Sequence, residues 1–353
     1  MRLYKKLLNL IDDTAMHVYC KIHFNKKCKE SIKINNINNL DNGYKKEIKN
    51  YWKQYGINVD TRFHRWYSGL NGNKDVRYIP EGFFYDVIER HYNNLGYEKA
   101  FTDKTLFTTI LPNVKQPTTI FSNRNGIYYD EDNKIITLED CINKIINKDF
   151  FIKPSVESGG GKNANFVNKI SDSKLLLKTI EEYKKDFIVQ EPIKQHNDLS
   201  VVHPSSVNTI RTMSYFDGKE VKILSSILRM GVKDSKVDNE SSGGVSCGIT
   251  KDGILKRYTR LANGTTFDGH PDGFKTEGHK ISNYFKVIEV IKESHKLIPY
   301  FKLISWDFSI DEDGNPLMIE YNTSWCGINF HQFNNGPLFG DMTDEILKEI
   351  SNK

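Results

Sequence analysis

Residues 303–324 read "LISWDFSIDEDGNPLMIEYNTS", in which two largely apolar runs flank an acidic turn. The dipeptide Asp313-Gly314 is a strong signal for a two-residue hairpin turn. With this dipeptide at the tip, Asp307 in the first strand lies directly opposite Glu320 in the second. The stretch therefore predicts an antiparallel hairpin with two carboxylates facing each other.

The same register places Asp311 opposite Pro316, and it puts Asn322 on the face that carries Glu320, because side chains alternate along a strand. Like charges opposite each other destabilise a sheet unless something neutralises them. Carboxylate and amide oxygens are ligands that suit Mg²⁺. A solvated pair on an exposed face is the alternative, but the large apolar residues of both strands indicate burial. We therefore predict a magnesium site formed by Asp307, Glu320 and Asn322.

The chain has 353 residues, enough for two or three domains and a core that needs no disulfides. Its five cysteines form neither a CxxC pair nor a Cys/His spacing typical of zinc. We therefore expect reduced thiols in a cytoplasmic protein. The start of the sequence lacks the pattern of a signal peptide, and no run of about 18 apolar residues occurs. The sequence predicts no membrane-spanning segment.

A basic excess is confined to the start of the chain. Residues 1–53 contain 12 Lys/Arg and 5 Asp/Glu, a net of +7, whereas the whole chain has a net charge of +5. Leu3, Leu7 and Ile11 fall on one helical face. A helix lying on the anionic surface of an inner membrane shows this pattern, but so does an ordinary domain helix with one solvated face. The basic stretch carries no nucleic-acid recognition module, so we expect no nucleic-acid partner.

Segment patterns divide the chain into three regions. Helical, aromatic-rich segments that end in glycine predict a helical N-terminal region over residues 1–100. A second region, residues 101–190, contains the glycine-rich loop. In the third, residues 191–353, apolar segments alternate with polar turns and predict an antiparallel sheet. Within it, "ISNYFKVIEVIKESHKLIP" at residues 281–299 predicts a helix. The fold class is therefore α+β.

The glycine-rich loop reads "IKPSVESGGGKNANF" at residues 152–166. A glycine triplet alone is usually a flexible surface turn, and the P-loop pattern GxxxxGK[ST] is absent. However, Lys153 ends an apolar strand before the loop, and Lys104 stands about fifty residues earlier. Backbone N–H groups of such a loop can close over phosphates, and lysines supply point charges. This combination indicates a phosphate site.

The order of "TDKTLF", "IKPSVESGGGKNA", "VQEPI", "NTIRT", "LRMG" and "WDFSID…MIEYN" resembles the ATP-grasp superfamily over about residues 78–330. More narrowly, "YIPEGFFY", "HPSSVNTIRTMS" and the D-x12-E-x-N ending resemble the ATP-grasp group associated with sugar transfer and cell-surface polysaccharide synthesis. The resemblance implies two α+β subdomains that grip ATP between antiparallel sheets. The small α/β substrate domain usual in ATP-grasp ligases is not visible here, which leaves the acceptor open.

The resemblance also implies roles for individual residues. The ATP-binding set, with Ser158 and the glycines as a lid and Asp198 at the ribose, is Lys104, Lys153, Ser158, Gly159, Gly160, Gly161, Gln190, Glu191, Ile193 and Asp198. The Mg²⁺ ligands are Asp307, Glu320 and Asn322. Arg211, Arg229 and Lys153 stabilise charge during the reaction. Polar loops around the implied acceptor site contribute His203, Ser206, Asn208, Asn239 and His270.

These assignments predict an ATP-dependent enzyme with ATP and Mg²⁺ as cofactors. The leading interpretation is a ligase that joins a carboxylate, from a uronic acid or an amino acid, to an amine through an acyl-phosphate. Such a reaction would serve the synthesis of capsule or O-antigen polysaccharide. Two alternatives remain open: a phosphotransferase acting on a sugar hydroxyl, and a non-catalytic ATP-binding regulator of polysaccharide assembly. The expected partner is a small-molecule or saccharide substrate.

Overall fold

The computed structural model of the chain describes residues 2–156, 164–239 and 242–352, with side chains from residue 13 onward. Helices dominate its first 110 residues, as predicted. Short 3₁₀ turns at Leu95–Tyr97 and Lys104–Leu106 connect the last of them. The helices are α1 (Arg2–Ile34), α2 (Asn42–Lys53), α3 (Thr61–Asn71), α4 (Glu81–Phe83), α5 (Glu89–Tyr92), α6 (Glu98–Phe101) and α7 (Phe107–Ile110).

Local sequence explains where the early helices begin and which face they bury. Asp41 and Asp60 cap α2 and α3 by accepting hydrogen bonds from backbone N–H groups of the first turn. In α1, Cys20, Phe24 and Cys28 follow each other at intervals of four, and all three are buried. The N-terminal helices therefore share one core, which also receives residues from the C-terminal helices.

One helix of this region contains a π-helical turn. Phe84–Ile88 forms this turn between α4 and α5, so the segment from Glu81 to Tyr92 is continuous but locally widened. Such turns occur mostly as single insertions in helices, and often at functional sites. Here the turn carries Tyr85, which lines a cavity described below.

The first sheet has six strands among the described residues, in the order β3-β2-β1-β6-β4-β5, and every neighbouring pair is antiparallel. Phe150 and Ile152 of β4 are buried beneath the helices of this unit, and Lys153 alternates with them. The strands are β1 (Thr119–Arg124), β2 (Ile127–Asp130), β3 (Ile135–Ile136), β4 (Phe150–Pro154), β5 (Asn165–Val167) and β6 (Phe187–Gln190), with helices α8 (Leu138–Ile145) and α9 (Ser173–Glu181).

The second sheet has seven strands in the described part of the chain, in the order β11-β10-β9-β8-β7-β12-β13, again antiparallel. It begins after the short helix α10 (Asn197–Ser200). The strands are β7 (Thr209–Phe216), β8 (Val221–Met230), β9 (Val245–Ile249), β10 (Leu255–Arg260), β11 (Thr266–Asp268), β12 (Leu303–Ile310) and β13 (Pro316–Asn322).

Helices cover both faces of the second sheet. The predicted helix is confirmed as α11 (Tyr284–His295), which packs on the face that carries Trp306 and Phe308. The opposite face meets the N-terminal helices together with α12 (Ile328–Asn335) and α13 (Thr343–Ser351). Because of this docking, the N-terminal region and the C-terminal end close over the same sheet surface.

The hairpin of β12 and β13 differs from the prediction at its tip. Glu312, Asp313 and Gly314 form a three-residue loop in which Gly314 has a φ of 79°, a conformation that favours glycine. Ile310, not Asp311, therefore pairs with Pro316. The predicted register at the tip is wrong because the Asp311 carboxylate accepts backbone N–H groups and lengthens the turn.

A β-bulge corrects this shift further along the hairpin. The register changes between Asp307 and Phe308, so that Phe308 pairs with Met318 while Asp307 pairs with Glu320. The bulge absorbs Ile319 on the second strand. The predicted opposition of the two carboxylates is therefore present, although the turn that suggested it has another geometry.

The described residues bear on only one of the two membrane-related predictions. Within the described residues, no helix is long and apolar enough to cross a bilayer. Leu3, Leu7 and Ile11 belong to the part of α1 whose side chains lie outside the described residues.

Asn93 links the N-terminal region to the second sheet. Its Nδ2 donates to the carbonyls of Leu303 and Thr323, at 2.7 and 2.6 Å, and its Oδ1 accepts the N–H of Leu303 at 2.9 Å. Asn93→Ala should lower the free energy of unfolding by about 3 kcal/mol, because buried backbone groups lose their partners. Denaturant unfolding measures this. An exposed asparagine of the loop before α2 is the control: Asn39→Ala should change stability by no more than about 0.5 kcal/mol, and equal effects of the two variants would contradict the role of Asn93.

Candidate functional site

Two cavities adjoin one another beside the β12–β13 hairpin. The first cavity lies between the two sheets, with Lys153 and Gln190 from the first sheet and Asp307 and Glu320 from the second among its lining residues. The second cavity lies between the second sheet and the N-terminal helices. Four residues line both cavities and so mark their junction: Lys104, Arg229, Asn239 and Glu320.

Strand alternation brings the charged groups into the first cavity. On β4, Phe150 and Ile152 point into the core of the first sheet, so Phe151 and Lys153 face the cavity. On β12, Trp306 and Phe308 face α11, so Asp307 points to the opposite side. The amphipathic pattern of each strand thus determines which polar side chains meet between the sheets.

Asp307 is buried, and two arginines neutralise it. Arg211, its neighbour across β7 and β12, donates from Nε to Oδ1 at 2.8 Å and from Nη2 to Oδ2 at 2.5 Å. Nη1 of Arg229 lies 3.5 Å from the same Oδ2. Burial alone would lower the pKa of Arg211, but the charge of Asp307 outweighs it and raises that pKa. Arg211 therefore stays charged, and Asp307 holds both guanidinium groups in place.

Glu320 meets lysines from two other parts of the chain. The Nζ of Lys104 lies 3.3 Å from its Oε2. Burial would raise the pKa of Glu320, but Lys104, Lys153 and Arg211 together lower it. Like charges at Asp307 and Glu320 are thus balanced by basic side chains of the protein itself. The repulsion between the two carboxylates therefore does not by itself require a metal, and the predicted magnesium site remains a prediction.

Lys153 has a different electrostatic environment. Burial and the nearby charge of Lys104 lower its pKa to about 8, and Glu320 opposes this only in part. An anion placed next to Lys153 would favour its protonated form. The lysine is thus suited to respond to a phosphate.

Most of the predicted ATP-binding and charged residues converge on the two cavities. The predicted residues that line the first cavity are Lys104, Lys153, Gln190, Glu191, Ile193, Arg229, Asn239, Asp307 and Glu320. Arg211 and Asn322 line the second cavity instead. The predicted lid, Ser158 with Gly159, Gly160 and Gly161, lies outside the described residues.

Asp198 lies away from both cavities. Its carboxylate accepts the N–H of Ser282 at 2.8 Å, and its carbonyl accepts a hydrogen bond from His279. These contacts attach α10 to the loop before α11. The structure gives no support to the predicted contact of Asp198 with a ribose, because its acceptor groups already bind the protein.

Four of the five predicted substrate residues form an internal hydrogen-bond network. His203 and Ser206 are bonded at 2.8 Å, Ser206 donates to Asn208 at 3.0 Å, and the Nδ2 of Asn208 donates to the carbonyl of His203 at 2.8 Å. His270 bonds to the carbonyl of Gly231 at 2.8 Å. All four predicted residues are buried and line neither cavity. The structure therefore does not support the prediction that these four residues hold a substrate. Their hydrogen bonds fix the loop before β7 instead.

Asn239 is the fifth predicted substrate residue, and unlike the other four it lines the cavities. Its Oδ1 accepts a hydrogen bond from Arg229 at 3.0 Å, and it lines both cavities.

Several lining residues were missed by sequence reasoning. Phe151, Val207 and Ile319 provide apolar surface in the first cavity, and Lys236 adds a charge. Phe151 lies two residues before Lys153 and so shares its face of β4, a signal that could have identified it. The segment that contains Lys236 has no regular periodicity, so no signal distinguished it.

The family model described as sugar-transfer associated ATP-grasp matches residues 85–346, more than half of the chain. The protein therefore belongs to the sugar-transfer associated ATP-grasp family. Both the predicted family and the predicted fold, two antiparallel sheets with a helical N-terminal region, are confirmed.

Solved structures show a distant similarity. An L-amino acid ligase from Bacillus licheniformis is 12% identical with a TM-score of 0.41, and the match covers 71% of this chain and 48% of that one. A D-alanine–D-alanine ligase from Bacillus anthracis is 15% identical with a TM-score of 0.40, covering 71% and 67%. The chain thus spans about half the length of the first of these ligases. A comparison with curated proteins returned no significant match.

The charge balance at the junction predicts how stability responds to neutralising each carboxylate. Asp307→Asn should lower the free energy of unfolding by about 3 kcal/mol, because Arg211 loses its buried counter-charge. Glu320→Gln should lower the free energy of unfolding by about 1–2 kcal/mol. This change is smaller because Glu320 is only half-buried. Denaturant unfolding at pH 7 measures both changes.

The control is Asp268→Asn, which breaks an exposed pair with Arg257 and should change stability by less than about 1 kcal/mol. An increase in stability for Glu320→Gln would show that repulsion between the carboxylates outweighs their attraction to the basic groups.

Proposed function

We propose that this protein is an Mg·ATP-dependent ligase that joins a carboxylate to an amine through an acyl-phosphate. The main support for this proposal is the junction of the two cavities, where Lys104 and Arg229 line both cavities beside Glu320. An ATP held in the first cavity would direct its γ-phosphate toward this junction. An acceptor held in the second cavity would meet it there.

The acceptor's carboxylate oxygen attacks the γ-phosphorus, and the bond from phosphorus to ADP breaks. Lys153, Arg211 and Arg229 stabilise the charge that spreads over the phosphoryl oxygens. The nitrogen of the uncharged amine then attacks the acyl carbon, so that a C–N bond forms, the C–O bond to phosphate breaks, and the departing phosphate takes up the proton that the amine loses. Each step uses fixed positive groups rather than a protein nucleophile.

The junction favours this reaction over phosphorylation of a sugar hydroxyl. A hydroxyl needs a general base, whose pKa should lie near the working pH. The basic groups around Glu320 lower its pKa, and Asp307 is engaged by Arg211. A carboxylate acceptor is already ionised, so the phosphoryl-transfer step itself needs no base.

The donor set also fits a magnesium ion. Asp307, Glu320 and Asn322 would hold it, because Mg²⁺ typically takes one or two carboxylates and completes its shell with phosphate oxygens and water. This set has two carboxylates and one amide. In residues 13–156, 164–239 and 242–352, no cluster of three or more His, Cys, Asp or Glu side chains is suited to a metal. When bound, Mg²⁺ would neutralise part of the negative charge of the phosphates.

The biological setting is part of the proposal. The family description associates its members with sugar transfer, which supports a role in capsule or O-antigen synthesis on the cytoplasmic side of the membrane. Mass spectrometry of the protein with Mg·ATP, uronic acids and amino acids tests the reaction. ADP with a condensed product supports the ligase. A phosphorylated sugar would indicate the phosphotransferase, and ATP binding without turnover would indicate the regulator.

Lys153 gives a direct test of the nucleotide site. Lys153→Ala should weaken ATP binding by roughly 1.5–3 kcal/mol, because one charge-assisted contact is lost. Isothermal titration calorimetry measures this. The exposed Lys148, on the loop before β4, serves as the control, and Lys148→Ala should leave the affinity unchanged. Equal affinities for wild type and Lys153→Ala would remove Lys153 from the site.

The lowered pKa of Lys153, about 8, predicts a pH dependence. Phosphate binds the protonated lysine, so ATP affinity should be constant below about pH 7 and fall above pH 8, at most about tenfold per pH unit. The Lys153→Arg variant should still bind ATP at pH 9, because arginine remains charged. An identical decline in wild type and Lys153→Arg would assign the titration to another group.

We also propose that α1 contacts an anionic membrane surface. Val18 and Ile22 are exposed on this helix, and Lys21 and Lys26 lie beside them. The protein should sediment with anionic vesicles, less so at high salt. Replacing Lys21 and Lys26 by glutamate should reduce sedimentation, whereas Lys148→Glu should not. Equal binding to neutral and anionic vesicles would contradict this proposal.

A further inference from the structure

The second cavity is large, and the N-terminal helices build one of its walls. Its volume of about 750 Å³ lies in the range of ligand sites. Tyr19, Phe24 and Lys27 of α1 line it, together with Tyr85 of the π-helical turn. The region that shows no ATP-grasp substrate domain in its sequence thus forms part of the space next to the phosphate site.

Aromatic rings dominate this wall. Trp325, in the loop after β13, packs on Tyr85 with ring centroids 4.9 Å apart and on Phe24 at 6.3 Å. Tyr19 meets the edge of the same indole at 6.1 Å. Phe24 and Tyr85 are buried, but Trp325 and Tyr19 remain 47% and 48% exposed. Two supported aromatic side chains therefore present apolar surface beside the cavity.

The backbone holds Trp325 in an uncommon conformation. Its φ is 53°, which is unfavourable for a bulky residue. The buried carboxylate of Glu89 accepts the N–H groups of Trp325 and Cys326 at 3.1 and 3.3 Å. The hydroxyl of Tyr85 accepts the N–H of Gly327 at 2.9 Å. These contacts fix the indole in its position.

Polar and charged groups surround the aromatic wall. Lys27 and Glu81 lie 3.5 Å apart, and Glu98 accepts a hydrogen bond from Ser324. Asn329 lines the cavity, is almost fully buried, and has a side-chain nitrogen without a hydrogen-bond partner in the described part of the chain. Buried donors in proteins normally have an acceptor, so a ligand oxygen that reached this nitrogen would satisfy it.

We propose that the second cavity binds the ring of a sugar acid, that the indole of Trp325 stacks against its apolar C–H face, and that Tyr19, which is perpendicular to the indole, borders the edge of the sugar ring. This inference rests on the proposed function and narrows its acceptor from sugar acid or amino acid to sugar acid. The ring's carboxylate lies toward Arg211 and Arg229, where it meets the γ-phosphate. Its hydroxyls face the polar groups of the N-terminal wall. An amino acid without a ring has no such face for the indole of Trp325.

Saturation-transfer NMR on the intact protein, without nucleotide, tests this. The probes are D-glucuronate, D-glucose and L-glutamate. D-glucuronate should bind, with ring C–H protons receiving the strongest saturation, and L-glutamate should not. Trp325→Ala and Tyr19→Ala should each raise the dissociation constant of D-glucuronate about fivefold or more. D-glucose should bind more weakly than D-glucuronate, because it lacks the carboxylate.

Two controls separate stacking from loss of structure. Phe285→Ala removes an equally exposed aromatic side chain from α11, and Val18→Ala changes the residue next to Tyr19 in α1. Both should bind D-glucuronate like wild type. All variants should retain the wild-type affinity for ATP, measured separately, so failure of ATP binding would contradict the proposed function without affecting the NMR result. Binding of L-glutamate alone, no binding of any probe, or equal D-glucuronate affinity in Trp325→Ala would overturn the sugar-acid assignment.

Discussion

The opposed carboxylates Asp307 and Glu320 are the constraint on which the site depends. A buried pair of like charges is tolerated only when opposite charges surround it, and the fold supplies these from different places. Arg211 comes from the neighbouring strand of the same sheet. Lys104 comes from the connection between the N-terminal helices and the first sheet, and its N–H donates to the carbonyl of Ser155 at the end of β4. Satisfying the two carboxylates therefore brings both sheets and the N-terminal region to one point.

The pairing of Asp307 with Glu320 could be predicted because strand alternation and a turn dipeptide are local properties of the sequence. The prediction reached the correct pair through a turn of the wrong length. Asp311 lengthens the turn, and the bulge near Ile319 restores the register. A side chain that binds backbone N–H groups competes with the simplest turn, and a bulge leaves no periodic signal. Lys153 could be singled out because it ends an apolar strand directly before the glycine-rich loop, and both of these features are local.

The acceptor region could not be predicted for a different reason. The loop containing His203 and Asn208 has the composition of a binding loop, but its polar groups bind each other inside the protein. Composition cannot distinguish these two cases, because a buried polar loop and a ligand-binding loop need the same hydrogen-bonding residues. The aromatic wall of the second cavity was missed because Tyr19 and Trp325 are about 300 residues apart in the sequence, and only the tertiary fold brings them together.

The environment of Glu89 indicates that the position of Trp325 has a purpose beyond packing. Burial raises the pKa of this carboxyl to about 8, although backbone N–H groups bond to it. Keeping an acidic group in the interior is unfavourable, and so is a positive φ at tryptophan. A loop selected only for stability would avoid both costs, for example with an apolar residue at position 89 and a glycine at 325. The two costs occur together, and their joint result is to hold one indole at the wall of the second cavity. Local conflicts of this kind are expected where function, rather than stability, determines the residue.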